Sequence, residues 1–248
     1  MSLFSQIAAV YRETKKPKDI LWNRFVARPL AAVLLVPLAK TRITPNQITL
    51  LSLVTFVASM VVLALERGYL GLIAAALVLE LSYVLDCTDG QLARLKHRSS
   101  PVGAHLDFLM DELKAFLLVA AAGIRLWRAD GHELWLIEAL LGLAVVASAI
   151  SMTTFMRRPE YIAATGATRP ASAGDYGEGF ARTLPPAQTM SMLGLVEDLG
   201  RFLIHYPSYI LLVALADQLD VFLHVYIAIN AAYAARSLLS VALKLGRS

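Results

Sequence analysis

Long apolar stretches separated by short charged segments dominate the sequence. Six of them approach the ~20 residues that a helix needs to cross the hydrocarbon core of a bilayer. They cover approximately residues 45–65, 69–88, 104–124, 134–156, 202–218 and 220–242. The fifth is the weakest, because Pro207 interrupts it and two aspartates crowd its end. The pattern predicts an all-α integral membrane protein with six transmembrane helices.

Residues 28–39 are also apolar but are too short to span a bilayer. Together with the charged, partly amphipathic segment before them, they predict an N-terminal interfacial helix that lies along the membrane. We therefore divide the chain into a cytoplasmic or interfacial segment, 1–43, and a six-helix domain, 44–248. The polar stretch 157–200 is rich in Gly, Pro, Ala and Thr and is expected to be a loop with one short helix at most.

The composition agrees with this pattern and excludes a soluble globule. Hydrophobic residues make up 57% of the chain and charged residues 17%, and the mean hydropathy is +0.59. With the N-terminus in the cytoplasm, 19 of the 23 Lys and Arg residues lie on that side of the six spans. The positive-inside rule thus predicts that both termini are cytoplasmic. The expected location is a plasma (inner) membrane. This asymmetry also explains the pI of 9.2 without a nucleic-acid partner.

Four aspartates interrupt the apolar pattern where the second span ends and the third begins. Asp86 and Asp89 are three residues apart, and Asp107 and Asp111 are four apart, so each pair shares one face of a helix. Ser99, Ser100, Pro101 and Gly103 between the pairs are turn and helix-start signals. We expect a helical hairpin that brings the four carboxylates together at the cytoplasmic boundary.

Such a cluster requires positive charge, because like charges ~4 Å apart repel by about 4 kcal/mol even at an effective dielectric constant of about 20. Oxygen ligands without nearby His or Cys ligands favour Mg²⁺, Mn²⁺ or Ca²⁺ over zinc. Two carboxylate pairs suggest two ions, an arrangement that suits phosphoryl transfer. Gly90 and Ala93 leave their helix face almost without side-chain bulk, and Arg94 offers a planar cation for phosphate oxygens.

These residues resemble the signature of the CDP-alcohol phosphotransferase family, D-x2-D-G-x2-A-R-x8-G-x3-D-x3-D. Every fixed position matches, at Asp86, Asp89, Gly90, Ala93, Arg94, Gly103, Asp107 and Asp111. The stretch TPNQITLLS, residues 44–52, also resembles the P-N-x-x-T element of the family.

The resemblance implies a metal-dependent enzyme that moves a substituted phosphate group from a CDP-alcohol to the hydroxyl of an acceptor alcohol and releases CMP. Asp86, Asp89 and Asp107 would hold Mg²⁺ or Mn²⁺, and Asp111 would be the general base and a further candidate ligand. The CDP-alcohol would contact Gly90, Ala93, Arg94, Gly103 and Asn46. A homodimer is also implied by the resemblance.

These residues say less about the identity of the alcohol in the CDP-linked donor and of the acceptor alcohol. We favour a CDP-diacylglycerol donor in phospholipid biosynthesis. The alternative is a soluble CDP-alcohol, because Lys16 to Ala31 resembles the entry segment of inositol-phosphate transferases. Many members of the family that use glycerol phosphate as acceptor carry Lys where this chain has Glu112, which argues against glycerol phosphate as the acceptor here. A divalent-metal carrier is the alternative from another class.

Four cationic residues are candidates for acceptor binding: Lys114, Arg157, Arg158 and Arg236. Each of them also has a structural explanation that does not involve an acceptor. Lys114 lies one turn beyond Asp111 and is equally a counter-ion for Asp111 or Glu80. The other three are also typical topology anchors. The single cysteine, Cys87, excludes an intrachain disulfide and is expected to pack beside the aspartates without binding metal.

Overall fold

The computed structural model describes residues 2–15, 20–166 and 202–246, and their regular structure is entirely helical. The helices are α1 Leu3–Thr14, α2 Arg28–Ala39, α3 Pro45–Leu65, α4 Tyr69–Leu95, α5 Pro101–Asp130, α6 Leu134–Met156, α7 Pro159–Thr165, α8 Ile210–Leu215 and α9 Leu219–Leu245. A π-helical stretch, Asn23–Ala27, leads directly into α2, and a 3-10 turn, Tyr206–Ser208, precedes α8. The predicted all-α class is confirmed for these residues.

Four of the described helices are long and apolar enough to cross a membrane: α3, α4, α6 and α9. They coincide with the first, second, fourth and sixth predicted spans. Helix α5 has 30 residues, but charged side chains occur in both its halves, so length and composition alone do not mark it as a span. It nevertheless packs against α3 and α6 within the same bundle.

The fifth predicted span, 202–218, is not one continuous helix. Pro207 lies in the 3-10 turn, and the helix after it has only six residues. The segment still runs alongside α4, because His205 contacts Tyr83 and the carbonyl of Leu215 accepts a hydrogen bond from Tyr69. Fourteen residues of α4 separate these contacts, a rise of about 21 Å. Proline removes a helical hydrogen-bond donor, which explains the break.

Local sequence signals set the two helix starts nearest the aspartates. Thr44 and Gln47 form a capping box at α3, with Pro45 in the first turn. The Ser100 hydroxyl accepts a hydrogen bond from the Gly103 amide at the start of α5, and Pro101 follows the cap. These caps satisfy amides that lack partners within the helix. The predicted turn between α4 and α5 is therefore confirmed.

Small side chains let the helices pack closely around α4 and α5. A Cβ atom at Gly123 of α5 would collide with Ala139 of α6. The Ser59 hydroxyl of α3 donates to the Ala75 carbonyl of α4 at 2.7 Å. At the bundle end away from the aspartates, the Arg125 guanidinium binds the carbonyl oxygens of residues 66–68 and closes the α3–α4 turn.

The N-terminal segment forms more helix than the sequence indicated. Helix α2 occupies the predicted interfacial stretch, and α1 is a second helix before it. Both contact α4. In the predicted loop, α7 is the short helix, and residues 167–201 lie outside the described residues.

Candidate active site

The aspartates of α4 and α5 converge at one end of the bundle. Carboxylate oxygens of Asp86, Asp89 and Asp107 all lie within 4.8 Å of one another. Asp89 is buried and the other two are half-buried. Helix α4 ends and α5 begins on either side of the capped turn, and α3 packs against both helices. The juxtaposition predicted from the sequence spacing is present for these three residues.

Two neighbouring side chains hold the carboxylates in place. The Thr49 hydroxyl of α3 donates to Oδ2 of Asp89 at 2.5 Å. The Lys114 ammonium forms an ion pair with Asp86 and lies 3.5 Å from Oδ1 of Asp111. Lys114 is buried. One ammonium ion thus offsets part of the repulsion within a site that contains four carboxyl groups.

Asp111 stands apart from the three-carboxylate cluster. Its side chain is 41% exposed, whereas that of Asp86 is 16% exposed. Asp111 also lines the large cavity described below. All four carboxylates line this cavity, and Asp111 is more exposed than Asp86 while lying beside the cluster. This placement suits a group that must reach a substrate hydroxyl.

The three clustered carboxylates fit a divalent cation. They supply hard oxygen ligands, the type that Mg²⁺ and Mn²⁺ favour. Oδ1 of Asp107 is buried and has no hydrogen-bond partner among the described residues. A buried carboxylate oxygen is costly unless it is paired. An ion held by Asp86, Asp89 and Asp107 would satisfy it.

A cavity of about 1130 Å³ extends from the aspartates into the bundle. Its wall includes every site residue predicted from the sequence except Arg158: Asn46, Asp86, Asp89, Gly90, Ala93, Arg94, Gly103, Asp107, Asp111, Lys114, Arg157 and Arg236. Arg158 is instead the residue before α7. Cys87 also lines the cavity, next to the clustered aspartates and not among them.

The predicted donor-binding residues form one wall of this cavity. A Cβ atom at Gly90 would meet only Nη1 of Arg94, at 3.5 Å, so the surface there is open. At Gly103 a Cβ atom would lie 3.3 Å from Oδ1 of Asn46. The first turns of α3 and α5 therefore meet at this wall. A side chain at residue 103 would have to displace Ser100 or Asn46 by a few tenths of an ångström.

Arg94 and Arg157 have contacts that the sequence did not indicate. Nε of Arg94 donates to the backbone carbonyl of Thr14 at 2.9 Å. The Arg157 guanidinium lies 4.8 Å from the centre of the Phe108 ring, and Glu112 is close enough to interact with it electrostatically. Lys114 occupies the predicted counter-ion position, with Asp86 as an additional partner.

Several cavity residues were not predicted. Thr49 is the threonine of the P-N-x-x-T element, three residues after Asn46 on the same face of α3, and that element could have indicated it. Helix α9 contributes a polar stripe with alternating spacings of four and three: Tyr226, Asn230, Tyr233, Ser237, Ser240 and Lys244. Arg28 and Arg98 add positive charge. The stripe was hidden because most of its polar residues are isolated in an otherwise apolar sequence.

A cluster of carboxylates at one end of a bundle of long apolar helices, beside a cavity with cationic side chains in its wall, is compatible with the phosphotransferase class that the sequence resembles. A family model described as CDP-alcohol phosphatidyltransferase matches residues 42–216. The chain therefore belongs to the CDP-alcohol phosphatidyltransferase family. The predicted resemblance is confirmed, and the predicted enzyme class, a CDP-alcohol phosphotransferase, is that of the family.

Two curated relatives share the name bifunctional IPC transferase and DIPP synthase. The protein from Aquifex aeolicus (strain VF5) is 28% identical over 111 residues, which cover 45% of this chain and 25% of the relative. The protein from Rubrobacter xylanophilus (strain DSM 9941 / JCM 11954 / NBRC 16129 / PRD-1) is 32% identical over 174 residues, which cover 67% of this chain and 38% of the relative. The matches thus span 25% and 38% of the relatives' lengths.

Proposed function

We propose that the protein transfers a substituted phosphate group from a CDP-alcohol to the hydroxyl of an acceptor alcohol and releases CMP, with Mg²⁺ or Mn²⁺ as cofactor. The observation that carries the proposal is the group of three carboxylates within 4.8 Å, beside the more exposed Asp111 and at the wall of a large cavity. Two ions fit the four-aspartate signature. Membership of the family supports the same chemistry.

Each residue has a defined part in this reaction. Asp86, Asp89 and Asp107 hold the metal, which when bound neutralises the donor diphosphate. Asp111, which is also a candidate ligand, accepts the proton of the attacking hydroxyl. Most of the rate enhancement comes from positioning and charge neutralisation, as is general for phosphoryl transfer.

The rest of the cavity serves recognition in this proposal. Arg94 contacts the donor phosphates, and Gly90 with Ala93, Gly103 and Asn46 accommodates the CDP group. The acceptor lies toward Arg157 and Arg236, where positive charge and the polar stripe of α9 converge. Lys114 serves the aspartates and not the acceptor, because its ammonium already pairs with Asp86.

We infer that the donor is a soluble CDP-alcohol of the inositol-phosphate type. The cavity wall carries polar side chains even among apolar helices, at Asn230, Tyr233 and Ser237, beside apolar residues such as Phe56 and Val146. A polar alcohol can form further hydrogen bonds with such groups, whereas an acyl chain cannot. The N-terminal resemblance, Lys16 to Ala31, supports this choice.

CDP-diacylglycerol, the donor for phospholipid biosynthesis, is the second candidate. The observation that favours it is the apolar surface next to Thr49. Leu50 and Val54 of α3 are 48% and 63% exposed, and they would lie against lipid tails in a membrane. An acyl chain could leave the site along this surface.

The membrane arrangement is part of the proposal. Six crossings include α5 and the broken segment 202–218, and α1 and α2 form the interfacial segment 1–43 before the transferase domain 44–248. Both termini and the active site face the cytoplasm of a plasma (inner) membrane, and two copies form a homodimer. The charge asymmetry supports the orientation.

One screen tests this assignment. Purified protein is incubated with Mg²⁺ or Mn²⁺, a panel of acceptor alcohols and either CDP-inositol, CDP-glycerol or CDP-diacylglycerol, and CMP is measured. We expect release with a soluble donor. Release with CDP-diacylglycerol alone would favour the lipid assignment. No release from any donor, with Mn²⁺ flux in liposomes that contain the protein, would favour a metal carrier.

A further inference from the structure

Helix α1 reaches the active site through one hydrogen bond. Nε of Arg94 donates to the carbonyl oxygen of Thr14 at 2.9 Å, although the two residues are 80 positions apart. Thr14 is the last residue of α1 and has no exposed surface. It lies outside the family match, which begins at residue 42. An arginine of the family signature is thus held by a segment outside the matched region.

The contact is favourable for two physical reasons. The last carbonyls of a helix lack partners within the helix and form the negative end of its dipole, so a cation is stabilised there. The guanidinium group is planar, so fixing Nε also restricts the direction of both terminal nitrogens. Nη1 lies next to the open surface at Gly90, 3.5 Å from the position of a Cβ atom there.

Other contacts hold the end of α1 in place. The Tyr11 hydroxyl donates to the carbonyl of Arg24 at 2.9 Å, which ties α1 to the π-helical stretch before α2. The Thr14 hydroxyl donates to the carbonyl of Val10 within the helix at 2.8 Å. Neither Tyr11 nor Thr14 is among the described residues of the cavity wall. The hydrogen bond from Arg94 to Thr14 connects the end of α1 directly to a residue of the cavity wall.

We propose that α1 is a positioning element that uses the Thr14 carbonyl to orient Arg94 toward the donor diphosphate. The inference rests on the proposed function, in which Arg94 contacts the phosphates. Thr14 touches no reactant and is a positioning residue. Loosening the end of α1 should weaken binding of the diphosphate and leave kcat at saturating donor nearly unchanged.

A pair of substitutions at residue 14 tests the role of the carbonyl. Thr14→Pro removes a helical hydrogen bond, crowds the carbonyl of Val10 and displaces the last turn. Thr14→Val keeps the carbonyl and the side-chain shape. We expect Thr14→Pro to raise the dissociation constant of CDP, measured calorimetrically with Mg²⁺, about tenfold, the effect of losing a hydrogen bond to a charged group. The dissociation constant of Thr14→Val for CDP should stay within about twofold of the wild-type value.

A double-mutant cycle separates positioning from general destabilisation. If α1 acts through Arg94, Thr14→Pro should not weaken CDP binding further in an Arg94→Ala background. The same loss with and without Arg94 would overturn the inference, as would unchanged CDP binding by Thr14→Pro. If Thr14→Pro does not fold, Tyr11→Phe takes its place in the cycle, and we expect it to bind CDP about threefold more weakly than the wild type.

The outcomes also separate this inference from the function on which it rests. Wild-type protein that neither binds CDP nor releases CMP would contradict the proposed function. Wild-type protein that does both, with Thr14→Pro and Tyr11→Phe indistinguishable from it in CDP affinity, would contradict only the role of α1.

Discussion

The Thr49 hydroxyl of α3 donates a 2.5 Å hydrogen bond to Oδ2 of Asp89 on α4. This bond joins the first membrane-spanning helix to the carboxylate cluster at the end of the second. A partner that orients a metal ligand typically contributes 10- to 100-fold to metal affinity or activity. We therefore place Thr49, the threonine of the P-N-x-x-T element, in the proposed active site, although it lies outside the aspartate signature.

Substitution of Thr49 should therefore lower activity through the metal. Thr49→Val keeps the branched shape and removes the donor, and we expect at least a tenfold rise in the Mg²⁺ concentration needed for half-maximal CMP release. Thr49→Ser restores the hydroxyl and should recover most of the affinity. If Val and Ser variants show the same Mg²⁺ dependence as the wild type, the hydrogen bond has no role in metal binding.

Substitution of Asp111 should lower turnover, whereas substitution of Asp107 should lower the affinity for metal. Asp111→Asn keeps the size of the side chain but cannot accept the proton, so kcat should fall by at least ~10² while CDP binding survives. Asp107→Asn should instead weaken Mg²⁺ binding. Calorimetric titrations with CDP and with Mg²⁺, together with CMP release, distinguish the two patterns. Near-normal turnover by Asp111→Asn would remove it as the base.

Lys114 should contribute most to the thermal stability of the protein when metal is absent. It is buried and pairs with Asp86 and Asp111, so Lys114→Met leaves carboxylates without their counter-ion, which is strongly destabilising. We expect a lower melting temperature in detergent and a larger stabilising shift on addition of Mg²⁺ than in the wild type. Lys114→Arg keeps the positive charge, so its melting temperature should fall less than that of Lys114→Met. Equal Mg²⁺ shifts in the wild type and Lys114→Met would contradict this role.

Thiol labelling tests the orientation. Cys87→Ser provides a background without cysteine and is expected to keep substantial activity, since Cys87 lies beside the cluster without belonging to it. In that background, Glu160→Cys on exposed α7 should react with a membrane-impermeant maleimide only from the cytoplasmic face of oriented vesicles. Glu133→Cys, exposed before α6, should react only from the opposite face. The reverse pattern would overturn the proposed topology.

Cys87 itself provides a second readout. Any modification of this thiol in the wild type should occur from the cytoplasmic face and should slow with Mg²⁺ plus CDP, because ligands would cover the cavity wall that it lines. Unchanged labelling in their presence would place the nucleotide elsewhere.

Much of the site followed from short-range spacing. The residues from Asp86 to Asp111 lie on two helices joined by a capped turn, so helical periodicity and the Ser100 cap were enough to predict their convergence. The break at Pro207 was visible as a weakness of the fifth span, but its extent was not. A 3-10 turn next to a six-residue helix depends on packing against α4, as at Tyr83 and His205.

Contacts between distant residues were not predictable from periodicity. The bond from Arg94 to Thr14 joins two segments whose local sequences contain no mutual signal. The polar stripe of α9 was missed for a related reason. Single polar residues such as Asn230 are ordinary in a membrane helix until the tertiary structure turns them toward one cavity.

The most direct test of the account is CMP release by wild-type protein and by Asp107→Asn, measured with a CDP-alcohol, its acceptor and Mg²⁺ or Mn²⁺. We expect release by the wild type only when both the acceptor and a divalent ion are present, with complete loss in EDTA. Folded Asp107→Asn should release CMP at least ~10-fold more slowly at limiting metal. Release that continues unchanged in EDTA, or in the Asp107→Asn variant at every metal concentration, would contradict a metal-dependent transferase centred on these aspartates.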